Sequence, residues 1–293
     1  MKKICLIMAL CLLMLCACAP AGPGTSIVAT TRPVYDLATA LCQGTGLEIG
    51  LLIQENVSCL HDYSLSTTQM KLLERAELVL ASGAGLESFQ QELLERCAHV
   101  VSCADGVALI ECEDSHDHDH DHGHDHDHAA DPHIWLAPKN AMMMARNICA
   151  ALEEAYPAQR SLLRENLSRL LQQLEDLQQY GEQALGSLSC RELITFHDGF
   201  SYLAQAFDLT ILAAVEEESG SEASARELIE LIGQVRQHDL PAVFCEANGS
   251  RAAAQIIAAE TDAGLFTLDM AMGEGNYLDT MYQNIAVLKE ALG

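Results

Sequence analysis

The side chains able to do chemistry here are histidines and carboxylates, and they fall into two unlike groups. Seven of the twelve histidines, His116, His118, His120, His122, His124, His126 and His128, stand close together, nearly all alternating with aspartate. His61, His133 and His197 stand singly and far apart, with the carboxylates Glu246 and Asp269 downstream. Imidazole is a common ligand for zinc, copper and nickel, and interleaved carboxylates raise the local cation concentration. Residues 114–130 therefore read as an acidic, metal-attracting loop of low affinity. Almost nothing in that loop is apolar, so it cannot form a core. Its plain alternatives are a solvated acidic linker or an expression tag, although tags sit at termini and this tract is internal. His133 differs: it follows a turn-like Asp131-Pro132 and is flanked by apolar Ile134 and Trp135, as expected of a ligand at the edge of folded structure.

The elements that must position these residues follow from periodicity. Short β-branched or apolar runs at Ser26–Thr30, Leu47–Ile53, Leu78–Ala81 and Val100–Ser102 read as strands. Helical patterns at Val34–Cys42, Thr67–Arg75 and Phe89–Cys97 separate them. This alternation is the signature of a mostly parallel α/β sheet. After the tract, Pro138–Ala155 reads as a helix with proline near its start, where proline is tolerated. Pro157 opens a longer helix to about Ser187, with apolar positions at Leu163, Leu167, Leu170, Leu174 and Leu177. That amphipathic stripe predicts a strut of ~45 Å between two lobes. The rhythm then restarts. Strands are expected at Leu193–Phe196, Thr210–Val215, Ala242–Cys245 and Leu265–Leu268. Helices are expected at His197–Phe207, Ser224–Gln237 (capped by Ser221 or Ser224), Ser250–Thr261 and Asn276–Leu292. The expected fold is thus α/β: lobes over 26–156 and 188–293, joined by one long rigid helix over 157–187.

Ligands of open α/β sheets bind beyond the carboxyl ends of the strands. His197, Glu246 and Asp269 each follow a predicted strand, His61 lies in the loop after Leu47–Ile53, and His133 follows the tract. Two candidate histidines come from the first half, and one histidine and the carboxylates come from the second. A cleft between the lobes is where such a set would meet.

Bulk properties narrow the partners. A formal charge of −26 with only 16 Lys and Arg argues against nucleic acid or an anionic membrane surface. At 49% hydrophobic residues, 293 residues can bury the cores of two lobes. The N-terminus reads as a targeting segment: Met1-Lys2-Lys3, then an apolar run from Ile4 to Leu15 too short to span a membrane comfortably. Leu15-Cys16-Ala17-Cys18 has the form of a bacterial lipobox. Residues 1–18 then form a lipoprotein signal peptide with Cys18 lipidated, and 19–25 form a tether. The expected location is extracytoplasmic, anchored by lipid to the cell membrane; an ordinary signal peptide cut slightly later is the alternative. Eight cysteines remain beyond the leader, at Cys42, Cys59, Cys97, Cys103, Cys112, Cys149, Cys190 and Cys245. None forms a CxxC pair, so a zinc ribbon has no support, and pairing cannot be assigned.

Successive motifs resemble one family: V-S-C-L-H-D-Y-S, D-P-H-I-W-L-A-P-K-N, I-T-F-H-D-G-F-S-Y-L-A, V-F-C-E-A-N-G-S and L-D-M-A-M with the later Y-L-D-T-M-Y-Q-N. They look like the zinc/manganese-type metal-binding receptors of ABC importers (ZnuA-like and AdcA-like), over essentially the whole mature chain. The resemblance implies two lobes with the metal at their interface and the ligands His61, His133, His197 and Asp269. It gives Glu246 the role of supporting a ligand. It also implies Zn²⁺ as cargo, an ABC permease as partner, a monomer, and no catalysis. Zinc-type members carry a His/Asp-rich loop before the D-P-H motif, and manganese-type members usually have glutamate where His197 stands. Three imidazoles and a carboxylate suit tetrahedral zinc, whereas manganese prefers more oxygen. The chain departs from the family at Ser64-Leu65-Ser66, where a proline-containing loop is usual. Cys59 and Glu274 remain rival ligands. A manganese or iron receptor, a surface adhesin or zinc store, and a metal-dependent hydrolase using Glu246 as base are the other functions to be separated from this one.

Overall fold

The computed structural model describes residues 26–54, 60, 63–111, 130–215 and 223–293. Cys18, His61, Cys59, Cys112 and the tract histidines His116–His128 lie outside them. The first sheet holds β1 (Ile27–Ala29), β2 (Ile49–Leu51), β3 (Leu78–Ala81) and β4 (Val100–Ser102). The second holds β5 (Glu192–Phe196), β6 (Thr210–Ala214), β7 (Ala242–Glu246) and β8 (Gly264–Leu268). All pairings are parallel, in the orders β2-β1-β3-β4 and β6-β5-β7-β8. The two sheets thus repeat one strand order. In each, the order reverses beside the first strand, and that reversal opens a crevice at the strands' carboxyl ends.

Helices complete the βα units: α1 (Arg32–Leu41), α2 (Thr67–Arg75) and the single-turn α3 (Gln91–Leu94) in the first lobe. The second has α6 (Ser201–Ala206), α7 (Ala225–Gln237), α8 (Ala252–Thr261) and α9 (Tyr277–Leu292). Local chemistry sets several of these boundaries. Ser66 and Gln69 form a reciprocal capping box on α2, as Ser224 and Glu227 do on α7. The departure at Ser64-Leu65-Ser66 therefore supplies a helix start in place of a proline turn.

α4 (Pro138–Ala155) packs against α1 and β4, and the long α5 (Arg160–Leu185) follows it in the chain before the second sheet. Over its 26 residues α5 is about 39 Å long, shorter than expected because Pro157–Gln159 is a 3-10 turn. Leu163, Leu170, Leu174, Leu177 and Leu185 are buried along it. Leu167 is only half-buried, and Asn166 takes the inward position instead. Its amide donates to the carbonyls of Leu41 and Gln43, at 2.6 and 2.9 Å, satisfying acceptors at the end of α1. Gly181 lets the ring of Phe207 press onto α5, since a Cβ there would lie 2.2 Å from it.

One continuous core joins the halves. It contains Ile27 and Leu80 of the first sheet, Leu163 and Leu174 of α5, and Leu203, Leu268 and Ile285 of the second lobe. A separate core, with Ile194, Phe196, Val243 and Ile257, lies on the outer side of the second sheet under α7 and α8. Two expected helices are shorter than their patterns suggested. Phe89–Cys97 contracts to a 3-10 turn and α3. The one expected over His197–Phe207 begins only at Ser201, so His197 lies in a turn.

Candidate metal centre

His197 leaves the end of β5 beside the reversal in the second sheet, and the hydroxyl of Thr195 donates to its carbonyl at 3.1 Å. Glu246 is the last residue of the adjacent strand β7, only 1% exposed. Glu246 pairs in register with Leu268, so Asp269, the next residue along, emerges beside it. Glu246 Oε2 lies 3.5 Å from His197 Nδ1. Burial, with the negative charge of Asp269 added, pushes the Glu246 carboxyl up to about 7. Its Oε1 meets no hydrogen-bond donor among the described residues.

His133 approaches from the first lobe. It is 7% exposed and stands directly before the 3-10 turn Ile134–Leu136. One carboxylate oxygen, Asp131 Oδ1, accepts from the His133 backbone N–H at 2.9 Å and lies 2.8 Å from His133 Nδ1. That contact fixes the ring's orientation and turns Nε2 away from Asp131. The His133 and His197 rings meet edge to face, with centroids 5.3 Å apart. Their meeting depends on Gly199: a Cβ there would lie 2.7 Å from His197 Cδ2, 2.9 Å from His133 Cε1 and 2.6 Å from Met270 Cε.

Asp269 is held through its backbone. Asn284 of α9 accepts from its N–H at 2.9 Å and donates to its carbonyl at 2.7 Å. Its Oδ1 accepts from the N–H of Ala271, a residue at φ 58°, a left-handed conformation costly for a side chain with a Cβ. That oxygen is thereby turned onto its own loop.

The described residues thus bring His133 against His197 and His197 beside Glu246, with Asp269 leaving the neighbouring strand and His61 outside them. Among the described residues, no three His, Cys, Asp or Glu side chains close into a set able to hold a metal ion. His133 does not leave a strand of either sheet: it follows Ala130, which makes an isolated bridge with Glu111. Glu274 is exposed, and its backbone carbonyl accepts from Arg32 at 3.0 Å. His99 is exposed, and His238 pairs with Glu192 at 2.9 Å, at the opposite end of β5 from His197. The described cysteines, Cys42, Cys97, Cys103, Cys149, Cys190 and Cys245, are all free thiols. Sequence reasoning missed Asp131, taken only as a turn residue. It also missed Gly199 and Asn284, whose contacts come from distant parts of the chain. The signal available for Asp131 was a carboxylate two residues before a candidate ligand.

Known proteins share this two-lobe fold. The chain is 28% identical to the high-affinity zinc uptake system protein ZnuA of Bacillus subtilis (strain 168), over 98% of this chain and 96% of that protein. It is 28% identical to the zinc-binding lipoprotein AdcA of Streptococcus pneumoniae (strain ATCC BAA-255 / R6), over 99% of this chain but only 61% of that longer protein. A crystal structure of ZnuA superposes with a TM-score of 0.80 at 27% identity, covering 92% of this chain and 99% of that one. A family model described as zinc-uptake complex component A, periplasmic, matches residues 27–291. With nearly all of its two lobes matched, the chain belongs to the ZnuA family of zinc-uptake components.

Proposed function

We propose that this protein is an extracytoplasmic receptor that binds Zn²⁺ with high affinity and delivers it to an ABC permease. The observation that carries the reading is the meeting of His133 and His197, each with Nδ1 facing a carboxylate, Asp131 and Glu246. A histidine whose one ring nitrogen faces a carboxylate presents the other to a metal, with its basicity raised. His133, His197 and Asp269 act as ligands, His61 supplies the fourth position, and Glu246 holds His197 in place. Three nitrogens and one oxygen fit zinc, and four protein donors leave no open position for catalysis. The family is one of solute-binding receptors, which agrees with binding and release as the whole of the chemistry.

The shared core makes wide separation of the lobes costly, so release proceeds by local rearrangement of ligand loops. Lipidation at Cys18 holds the receptor near its permease, and the tract His116–His128 gathers cations at low affinity. Among the described residues no helix is long and apolar enough to cross a membrane.

Calorimetry with zinc and manganese on the mature chain tests the reading. One high-affinity zinc per chain is expected, retained when residues 115–128 are deleted. His197→Glu should move preference toward manganese. Manganese held over zinc by the unmodified protein would overturn the proposal, and many tight metals per chain would make it a store.

A further inference from the structure

We infer that Tyr202 is a positioning residue for His133, acting across the lobe boundary through Asp131. Tyr202 belongs to α6 of the second lobe and is only 1% exposed. Its hydroxyl donates to the Asp131 carbonyl at 3.0 Å and accepts from the Ile110 N–H at 2.9 Å. Ile110 and Asp131 also bond directly, Asp131 N–H to Ile110 carbonyl at 2.9 Å, beside the bridge of Glu111 with Ala130. One phenol of the second lobe therefore ties together the two chain segments that flank residues 112–129 in the first.

The consequence for His133 follows from the bonds on Asp131. Its carboxylate oxygen fixes His133 at both the backbone N–H and Nδ1. Asp131 can orient the ring only if its own backbone is fixed. Pro132 follows it and has no N–H, so the junction cannot be secured by a donor from that residue. The Ile110 carbonyl and the Tyr202 hydroxyl hold Asp131 from either side instead. Phenylalanine would fill the same space, and a phenol is desolvated at such a site only where its hydroxyl has partners. Tyr202 also lies five residues after His197. The turn that carries the second lobe's histidine thus leads into the helix that steadies the first lobe's histidine.

This inference rests on His133 being a zinc ligand, and its test separates the two. Zinc affinity is measured on the mature chain by competition with a chelator, and Co²⁺ visible absorption reports site geometry. Tyr202→Phe should weaken zinc binding ~10-fold, the lower range for loss of a group supporting a ligand, and alter the cobalt spectrum. Combined with Asp131→Asn it should add little to the loss from Asp131→Asn alone, because both act along one path. An unchanged affinity and spectrum, or full additivity, overturns the inference. Unchanged affinity in His133→Ala removes the ligand reading and this inference with it, whereas a large loss there and none in Tyr202→Phe sinks the inference alone. Should Tyr202→Phe fold poorly, amide exchange on the unmodified protein decides: slower exchange at Ile110 when zinc is added supports the coupling, and equal rates overturn it.

Discussion

The indole N–H of Trp135 donates to the carbonyl of Met270 at 2.7 Å, tying the second residue after His133 to the residue directly after Asp269. Tyr277 returns the link, donating its hydroxyl to the Trp135 carbonyl at 2.6 Å. Asp36 of α1 accepts from the Tyr277 N–H at 2.9 Å, and Arg32 reaches the Glu274 carbonyl. The segments carrying the two candidate ligands are thus fastened to each other through their own neighbours.

Trp135→Phe leaves the buried Met270 carbonyl without that donor and removes part of a fully buried ring. A loss of about 1–3 kcal/mol from the unmet carbonyl is expected, with a further loss from reduced packing. Urea unfolding of the zinc-free protein measures it. Zinc should also leave faster in a stopped-flow chelator chase, because the His133 and Asp269 segments are less firmly joined. Unaltered release would separate the link from the site.

Gly199→Ala tests the contact between the histidines. The added methyl would sit within 3 Å of both rings and of the Met270 methyl, so at least one must move. The expected outcome is a loss of about 1–3 kcal/mol in stability from overpacking and zinc binding weakened about 10-fold or more. Calorimetry reads the affinity. Tight binding retained in this variant would mean that the rings need not approach as closely as they do here.

Glu87 gives a pH signature remote from the site. Its Oε1 accepts from the Thr30 hydroxyl and the Ser82 N–H, both at 2.7 Å, and its Oε2 accepts from Gly83 N–H at 3.0 Å. Burial nonetheless raises its pKa above the ordinary 4.5. The folded protein then keeps this proton where the unfolded chain has released it. Its contribution to stability is fully present below the unfolded value and is lost as pH rises through the higher folded one. Glu87→Gln presents an amide to a donor and should cost about 1–3 kcal/mol at acid pH. The gap from the unmodified protein should narrow as pH rises, in urea melts at a series of pH values. A gap independent of pH would show that Glu87 titrates alike in both states.

Local pattern made the scaffold legible. β-Branched runs marked the strands, and the leucine stripe marked α5, because strand and helix periodicities act within a few residues. The pattern failed where tertiary contact overrode it. His197 to Phe207 reads as helix, yet Gly199 packs under two imidazoles and the helix waits until Ser201. Leu167 fits the stripe, yet Asn166 turns inward because α1 ends there with unmet carbonyls. His133, His197 and Asp269 stood out in sequence by type and flanking residues. Their partners did not: Asn284 follows Asp269 by 15 positions, and Tyr202 follows Asp131 by 71. Hydrogen bonds across such separations leave no local periodicity to read.

The single core running through α5 also governs how the molecule comes apart. Lobes that share their interior cannot melt one after the other, so neither is a natural fragment for expression or dissection. Among the described residues only the layer of α7 and α8, with its own apolar interior on the far side of the second sheet, has the means to loosen by itself. Elsewhere, cargo held at the proposed site by residues of both lobes would stabilise both halves at once, and a metal-starved receptor would be more open to proteolysis over both lobes.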